Sequence, residues 1–273
     1  MLLPLADVLA PRVVVYDCMD ELTSFRDAPP ELTYRERTLF PRADLFFTSG
    51  RSLWEAKRSR HGDVHLFPSS VEAAHFAAAR TRQPAPPALA GLPRPRIGWA
   101  GSIDERVDLG LLAEAAALRP AWSWTLLGPV SGVDVTPLTR LPNVRVIGPR
   151  PYRELPAWLA HFDVGMMPFA RNDATRFISP TKTPEYLAAG LPVVSTPVAD
   201  VAREWGARGL VHIAEGAEAF VEACERALAE RDDPARLARV DAALSRTSWD
   251  DTWARMDRLL EGAEARVLVG SAK

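Results

Sequence analysis

The chain has 273 residues, a net charge of −2, 47% hydrophobic residues and 25% charged residues, which is ordinary for a globular protein with a real core. This balance of charges excludes the basic surface that nucleic-acid binding requires, so we expect no nucleic-acid partner. No apolar stretch approaches the roughly 20 residues that a membrane-spanning helix needs.

Short apolar runs alternate with amphipathic segments along the chain. Helical patterns lie between most of the runs, for example at residues 109–118, 152–160 and 217–229. This alternation predicts the α/β fold class, with two Rossmann-like domains whose parallel sheets are flanked by helices. The predicted strands are residues 13–16, 45–48, 65–67, 96–99, 122–127, 144–147, 164–167, 192–195 and 210–213.

A proline-rich segment at residues 81–95 predicts a linker between two unequal domains. Residues 96–247 have six predicted strands, enough for a complete nucleotide-binding domain, and residues 248–265 follow as helix. Residues 1–80 have only three strands, and the first of these, rich in β-branched residues, predicts a strand buried on both faces. We therefore expect residues 1–80 to be the carboxyl-terminal part of a larger domain, with upstream sequence missing. The alternative is a small three-stranded domain that is complete in itself.

Lys182 is singled out by composition, because the chain has thirty arginines and three lysines. A lysine ammonium is a compact charge suited to a phosphate. We predict a helix that starts at Thr181 to Thr183, is capped by either threonine and stops at Gly190. Lys182 and Glu185 then share its first turn, where an anion is favoured. The alternative is a capped surface helix with a Lys182–Glu185 ion pair. The other two lysines, Lys57 and Lys273, are predicted on a surface helix and at the carboxyl terminus.

Ligands of open parallel sheets bind at the carboxyl ends of the strands, so the loops there are candidate sites. Gly101 permits a close backbone approach after the fourth strand, and Arg106 follows in the same loop. Gly128 begins the next such loop, residues 148–152 form a rigid loop that suits a nucleobase edge, and residues 168–179 lead into the Lys182 helix.

Residues 96–195 resemble the carboxyl-terminal domain of the GT-B retaining glycosyltransferases of family 4, the "glycosyl transferases group 1". The most specific part is the run P-T-K-x-x-E-Y-x-A-A-G-x-P-V-V at residues 180–194. Residues 16–21, 43–50 and 67–71 resemble the end of the amino-terminal domain in bacterial members. Residues 249–253 resemble the final helix, which crosses back to that domain.

The resemblance implies roles for particular residues. Glu185 matches the glutamate that holds the ribose of the nucleotide-sugar donor, and Arg106 and Lys182 match positions that neutralise its diphosphate. No metal is expected, since two cations can stabilise the departing diphosphate, and no cofactor is expected beside the nucleotide-sugar substrate. The remaining donor-binding positions are the Gly-rich turn at Gly101 and Ser102, the base loop with Gly148 and Arg150, and Ser179 and Thr181 of the motif.

The sequence departs from the family pattern at three places. The first glutamate of the family's E-x(7)-E motif is replaced by Phe177, and the nearest upstream carboxylate is Asp173. Pro184 stands where an apolar helix former is usual. The acceptor half is short, so no catalytic acid or base can be named.

The implied function is transfer of a hexosyl unit, with retention, from a nucleotide diphosphate sugar to a lipid-linked or polysaccharide acceptor in bacterial surface polysaccharide or glycolipid synthesis. Two alternatives remain: a nucleotide-sugar-binding module without turnover, and a GT-B nucleotide-sugar epimerase. Cys18 and Cys224 predict free thiols in a reducing compartment, so we expect a cytoplasmic protein, with contact to the inner face of the membrane left open.

Other polar and aromatic residues have simpler interpretations. Asp17, Asp20 and Glu21 form an acidic cluster that is predicted to face the interdomain cleft, with helix capping as the alternative. His75 and His161 are expected at the surface or in helix packing. The tryptophans expected in the core are Trp122, Trp124 and Trp158.

Overall fold

The computed structural model describes residues 3–270. Its strands are β1 (Val15–Cys18), β2 (Leu45–Thr48), β3 (Val64–Leu66), β4 (Arg96–Ala100), β5 (Ser123–Leu127), β6 (Val144–Ile147), β7 (Val164–Met167), β8 (Val193–Ser195) and β9 (His212–Ile213). Its α-helices are α1 (Leu3–Leu9), α2 (Glu31–Leu39), α3 (Arg51–Lys57), α4 (Ala73–Ala77), α5 (Leu109–Leu118), α6 (Thr136–Thr139), α7 (Leu155–Leu159), α8 (Lys182–Ala188), α9 (Ala199–Glu204), α10 (Ala217–Ala229), α11 (Pro234–Leu244) and α12 (Trp249–Gly270). Single 3-10 turns lie at Leu22–Ser24, Phe40–Arg42, Ala78–Arg80, Pro87–Leu89, Tyr152–Glu154, Asp173–Thr175 and Gly206–Arg208.

The strands form two parallel sheets, with the orders β1-β2-β3 and β6-β5-β4-β7-β8-β9. All of their pairings in the described part of the chain are parallel. The α/β fold class predicted from the sequence is therefore confirmed. Each predicted strand is present, and its ends lie within two residues of the prediction.

The order of the six-stranded sheet creates a crevice. The chain runs outward from β4 to β6 and then returns to place β7 on the other side of β4. Loops that follow β4 and β7 therefore leave in opposite directions, which opens a crevice at their carboxyl ends. Both strands are fully buried, as their continuous apolar runs predict.

The first sheet corrects one prediction. Residues 13–16 were expected to lie in a strand buried on both faces. Within residues 3–270, however, β1 is an edge strand that pairs with β2 alone, and Val15 and Tyr16 are part-buried. The fully buried strand is β2, which has a neighbour on each side. β-branched composition predicts a strand but does not reveal which strands flank it.

The region before β4 packs against the larger sheet. Val71, Phe76 and Leu89 belong to the same apolar core as the six-stranded sheet, and Leu89 is fully buried. Arg94 forms an ion pair with buried Asp163, which also pairs with Arg231. The segment predicted as a linker is thus anchored to the larger domain at Leu89 and Arg94, although most of its residues are exposed. The domain boundaries themselves stay a prediction.

Helix α12 packs on the first sheet. Its Ala263 is buried in one apolar cluster with Leu45, Phe47 and Phe67. The helix is also tied down near its start, where the hydroxyls of Ser70 and Thr252 lie 2.8 Å apart. Helix α12 therefore returns from the larger domain to the three-stranded sheet.

Lys57 is not a surface residue, which corrects a second prediction. Its side chain is 2% exposed, and its ammonium lies 2.5 Å from carboxylate oxygens of both Glu21 and Glu36. Burial lowers the pKa of Lys57, but hydrogen bonds and charge from the two carboxylates outweigh burial and raise the pKa above its ordinary value. Glu21 and Glu36 lie far from Lys57 in sequence, so only the fold reveals this network.

Candidate functional site

A cavity of about 160 Å³ lies at the carboxyl ends of both sheets, beside the crevice between β4 and β7. The larger domain contributes residues from the loops after these strands and from the start of α8. The smaller domain contributes residues that follow each of its three strands. The lining residues are Trp99, Ser102, Arg106, Phe169, Ile178, Ser179, Pro180, Thr181 and Lys182 on one side, and Met19, Asp20, Ser49 and Ser69 on the other.

Lys182 presents an unpaired ammonium to this cavity. Its Nζ lies 4.8 Å from the centroid of a Trp99 ring, and it forms no hydrogen bond or ion pair with any residue between 3 and 270. Burial lowers the pKa of Lys182, an effect that Glu185 opposes and Arg106 reinforces. An anion bound in the cavity would supply the partner that this cation lacks.

Helix α8 begins at Lys182, inside the predicted range, but the predicted threonine cap and the alternative ion pair are both wrong. Neither threonine caps α8, because Thr181 has helical dihedral angles and makes no capping hydrogen bond, and Thr183 lies inside the helix. The alternative Lys182–Glu185 ion pair is also not formed among the described residues. The helix does end close to Gly190, as predicted, and that glycine has φ +84°.

Two glycines make room for the Lys182 side chain. A Cβ on Gly101, whose φ is +154°, would lie 2.0 Å from Cε of Lys182. A Cβ on Gly128, whose φ is +152°, would lie 2.0 Å from the backbone oxygen of Gly101. The backbones of the loops after β4 and β5 therefore pack directly against each other below the Lys182 side chain. A side chain at either glycine would prevent this close approach.

Arg106 lies in the cavity but already has a partner. Its guanidinium donates hydrogen bonds of 3.0 and 2.7 Å to Asp104, and it lies 5.4 Å from the Phe25 ring. Hydrogen bonding to Asp104 raises the pKa of Arg106, with burial opposing. Lys182 is therefore the uncompensated cation of this pair, and Arg106 is largely neutralised.

Glu185 lies one turn beyond Lys182, outside the cavity lining. Burial raises the pKa of its carboxyl, while Lys182, the Thr181 hydroxyl and His75 lower it. The His75 and Tyr152 rings stack with centroids 4.5 Å apart. Burial raises the pKa of Tyr152, and the charges of Glu72 and Glu185 add to this effect, so Glu185 acts on the loop predicted to hold a base as well as on Lys182.

The predicted site residues thus form one group with two outliers. Ser102, Arg106, Ser179, Thr181 and Lys182 line the cavity together. Gly101 supports Lys182 from below and Glu185 follows on the same helix. The outliers are Gly148, which is exposed with open space around it, and Arg150, which lies 5.2 Å from a Trp158 ring.

The position of the missing family glutamate is apolar in structure as well as in sequence. Phe177 packs against the first sheet's apolar cluster, which contains Phe40, Phe46 and Leu53. Asp173 is exposed and does not line the Lys182 cavity. Neither residue places a carboxylate at this cavity.

The three acidic residues that were predicted to face the cleft together lie in three different environments. Asp20 lines the cavity, Glu21 pairs with Lys57, and Asp17 is exposed. Ser49 and Ser69 were not anticipated as site residues. The rule applied to the larger domain, that strand carboxyl ends carry ligands, would have found them after β2 and β3.

The other residues singled out in the sequence occupy structural positions. Trp124 and Trp158 are buried in the main core, and Trp122 is partly buried against it. His161 contacts the backbone oxygen of Gln83 at 3.1 Å. Both cysteines are free and buried.

The family model described as "Glycosyl transferases group 1" matches residues 94–230, which is half of the chain. The chain belongs to this family. The matched region contains β4 to β9 and the Lys182 side of the cavity, while the three-stranded sheet lies outside it.

Individual relatives agree with the family match. A Bacillus subtilis (strain 168) protein, named as the teichuronic acid biosynthesis glycosyltransferase TuaH, is 29% identical over 240 residues, which are 81% of this chain and 59% of that protein. The chain therefore spans well under two thirds of this relative's length.

Solved structures of GT-B glycosyltransferases share the fold. Sucrose-phosphate synthase from Thermosynechococcus elongatus superposes with a TM-score of 0.67 at 19% identity, covering 88% of this chain and 63% of its own. Anabaena Alr3699/HepE in complex with UDP superposes with a TM-score of 0.72 at 15% identity, covering 94% and 74%. The GT-B-like fold expected from the sequence is thus confirmed.

Residues 3–270 contain neither a membrane-spanning helix nor a cluster of metal-ligating side chains. No helix there is long and apolar enough to cross a membrane. No group of three or more His, Cys, Asp or Glu side chains in that range is placed to hold a metal ion.

Proposed function

We propose that this protein binds a nucleotide diphosphate sugar in the Lys182 cavity and transfers the sugar, with retention of anomeric configuration, to an acceptor. The unpaired ammonium of Lys182 at the β4–β7 crevice carries the proposal, because a part-buried cation with no ion-pair partner among residues 3–270 favours an anionic ligand. The chain's family membership supports a nucleotide diphosphate sugar as this ligand.

Each residue has a part in this proposal. Lys182 contacts the diphosphate and stabilises it as it leaves, with Arg106 adding a weaker positive potential. Ser102, Ser179 and Thr181 supply hydroxyl donors around the phosphates. Glu185 accepts hydrogen bonds from the ribose hydroxyls, and the loop with Gly148 and Arg150 receives the base.

The finer assignments rest on the relatives. Complexes of Anabaena Alr3699/HepE with UDP and with UDP-glucose support a hexose donor of this kind. The name of the B. subtilis relative supports an acceptor in bacterial surface polysaccharide synthesis. We accordingly propose a family 4 hexosyltransferase that needs no metal and works in the cytoplasm, at the membrane face where its acceptor is lipid-linked. Residues 96–247 would bind the donor and residues 1–80 would face the acceptor.

Calorimetric titration with UDP and GDP tests the donor site. We expect Lys182→Ala and Glu185→Ala each to weaken binding about 10- to 100-fold, which is the usual effect of losing a charged hydrogen bond. Arg153→Ala and Glu218→Ala are matched exposed controls and should bind like the wild type. Absence of nucleotide binding by the folded wild type would refute the proposal.

Turnover separates the proposed reaction from its alternatives. Incubation with UDP-glucose should release UDP when a suitable glycan acceptor is added. A binding module would leave the donor intact with every acceptor, and an epimerase would convert the donor without any acceptor. Nuclear magnetic resonance of the product's anomeric proton then distinguishes retention from inversion.

A further inference from the structure

Asp20 is a cavity carboxylate that the proposed donor site does not explain. It lies in the loop after β1, across the cavity from Lys182. The loop is held on both sides, since Ser49 donates a 2.5 Å hydrogen bond to the Met19 oxygen and Glu21 pairs with Lys57. The Asp20 carboxylate itself forms no hydrogen bond or ion pair with residues 3–270. The loop is therefore held in place by the neighbours of Asp20, and the Asp20 carboxylate takes no part in holding it.

Asp20 is the one carboxylate among the described residues that line the cavity, and it faces two cations there, Arg106 and Lys182. Asp104 neutralises Arg106 through two hydrogen bonds, which leaves Lys182 as the excess positive charge. Asp20 supplies the opposite charge at a distance beyond ion-pair contact. Burial raises the pKa of its carboxyl, while Arg106 and Lys182 lower it, so all three groups act on one another through the cavity.

A carboxylate beside a diphosphate affects donor and product unequally. In a nucleotide sugar both phosphates are diesters with one negative charge each. In the free nucleoside diphosphate the terminal phosphate gains a second ionisation with a pKa of about 6, and so carries about −1.5 to −2 at pH 7. Repulsion from Asp20 is consequently stronger for the product than for the donor.

We propose that Asp20 sets the preference of this cavity for a nucleotide diphosphate sugar over the free nucleoside diphosphate. This inference rests on the proposed function. When the glycosyl bond to the β-phosphate breaks, the new charge on the leaving diphosphate is stabilised by Lys182 and opposed by Asp20. Asp20 thereby limits how tightly the product is held after transfer, and it promotes product release.

Calorimetry on Asp20→Asn tests the preference directly. UDP is compared with UDP-glucose, and GDP with GDP-mannose, at pH 8 and low salt. At a separation of several ångströms and an intermediate dielectric constant, the extra product charge corresponds to about 3- to 30-fold in affinity. We therefore expect Asp20→Asn to tighten nucleoside diphosphate binding by that factor more than it tightens nucleotide-sugar binding. Asp17→Asn, an exposed aspartate on the same segment and outside this cavity, is the matched control and should leave the ratio unchanged.

The outcomes separate this inference from the donor site. Equal tightening of both ligands, no change, or the same shift in Asp17→Asn would overturn the role of Asp20. The donor site would still stand in those cases if Lys182→Ala loses binding. Absence of binding by both the wild type and Asp20→Asn would overturn both proposals. Equal melting temperatures of Asp20→Asn and the wild type would show that the fold is intact.

Discussion

The side chain of Lys182 passes directly over Gly101, so closely that a Cβ on Gly101 would lie 2.0 Å from its Cε. The ammonium is thereby directed along the Trp99 ring and into the cavity. A glycine after β4 and a lysine that starts α8, distant in sequence, thus form one structural unit.

Gly101→Ala should displace Lys182 and weaken UDP or GDP binding. The new methyl group must push the flexible end of Lys182 aside, and φ +154° adds backbone strain of about 1–3 kcal/mol. We expect at least a tenfold rise in Kd, about 1.4 kcal/mol, by calorimetry. Gly62→Ala, where the added Cβ meets nothing within 4 Å, is the control. Unchanged binding by Gly101→Ala would show that the position of Lys182 is not critical.

Lys57→Met should be strongly destabilising. It removes the cation between Glu21 and Glu36, which leaves Glu21 without an ion-pair partner and Glu36 with Arg60 alone, at a cost of about 3–5 kcal/mol. Urea unfolding measures the loss. Arg153→Met, at a side chain 83% exposed, should change stability by only about 0.5 kcal/mol.

Combining Lys57→Met with Glu21→Gln and Glu36→Gln provides the internal check. This triple variant removes the ammonium and both carboxylates at once and leaves only the part-exposed Arg60, which pairs with Glu36 in the wild type. It should therefore recover much of the lost free energy of unfolding. A triple variant less stable than Lys57→Met alone would contradict the ionic account of the network.

The same network predicts how stability depends on pH. Burial raises the pKa of Glu21, but Lys57 and the Thr23 hydroxyl outweigh burial and hold it below its ordinary value, whereas the pKa of Lys57 is raised. The Glu21 carboxylate therefore contributes to the free energy of unfolding above about pH 4.3, and this contribution is lost as the pH falls through the pKa of Glu21 in the folded state. The Lys57 ammonium contributes to the free energy of unfolding below about pH 10.4, and this contribution is lost as the pH rises through the pKa of Lys57 in the folded state.

Unfolding free energies of the wild type and the triple variant, measured from acid to alkaline pH, test this dependence. The difference between the two free energies of unfolding should be constant near neutral pH and should change at acidic and at alkaline pH. A difference independent of pH would mean that Glu21 and Lys57 titrate alike in the folded and unfolded states.

Phe177→Glu restores the family's first glutamate in sequence but should not improve donor binding. The position packs against the apolar cluster of the first sheet, so a carboxylate there loses apolar contact and solvation, at a cost of about 2–4 kcal/mol. Phe177→Leu should cost about 1 kcal/mol. Thermal unfolding and UDP titration check both variants, and tighter binding by Phe177→Glu would show that the segment can rearrange to present a carboxylate.

Leu89→Ala tests whether residues 81–95 are packed or flexible. Leu89 is fully buried in the core of the larger sheet, so truncation should cost about 2–5 kcal/mol in urea unfolding. Leu118→Ala, at a leucine 41% exposed, should cost less than about 1 kcal/mol. Equal costs would contradict the packing of this segment.

Much of the fold could be predicted because its signals are local. Apolar runs alternating with amphipathic segments define strands and helices within a few residues, and β2, β6 and β7 match their predicted limits. Helix α5 and helix α10 match as well, since their periodic apolar faces are written in contiguous sequence. The Lys182 motif was found in the same way, as one unbroken run.

The sequence by itself determined the α/β class, the strands and the side of the cavity that carries Lys182. Only the tertiary structure decided which charges meet: Lys57 with Glu21 and Glu36, Arg106 with Asp104, and Asp20 with the cavity. It also decided that β1 is an edge strand. Local periodicity specifies which face of an element is apolar, whereas burial and ion pairing depend on which distant elements pack against that face.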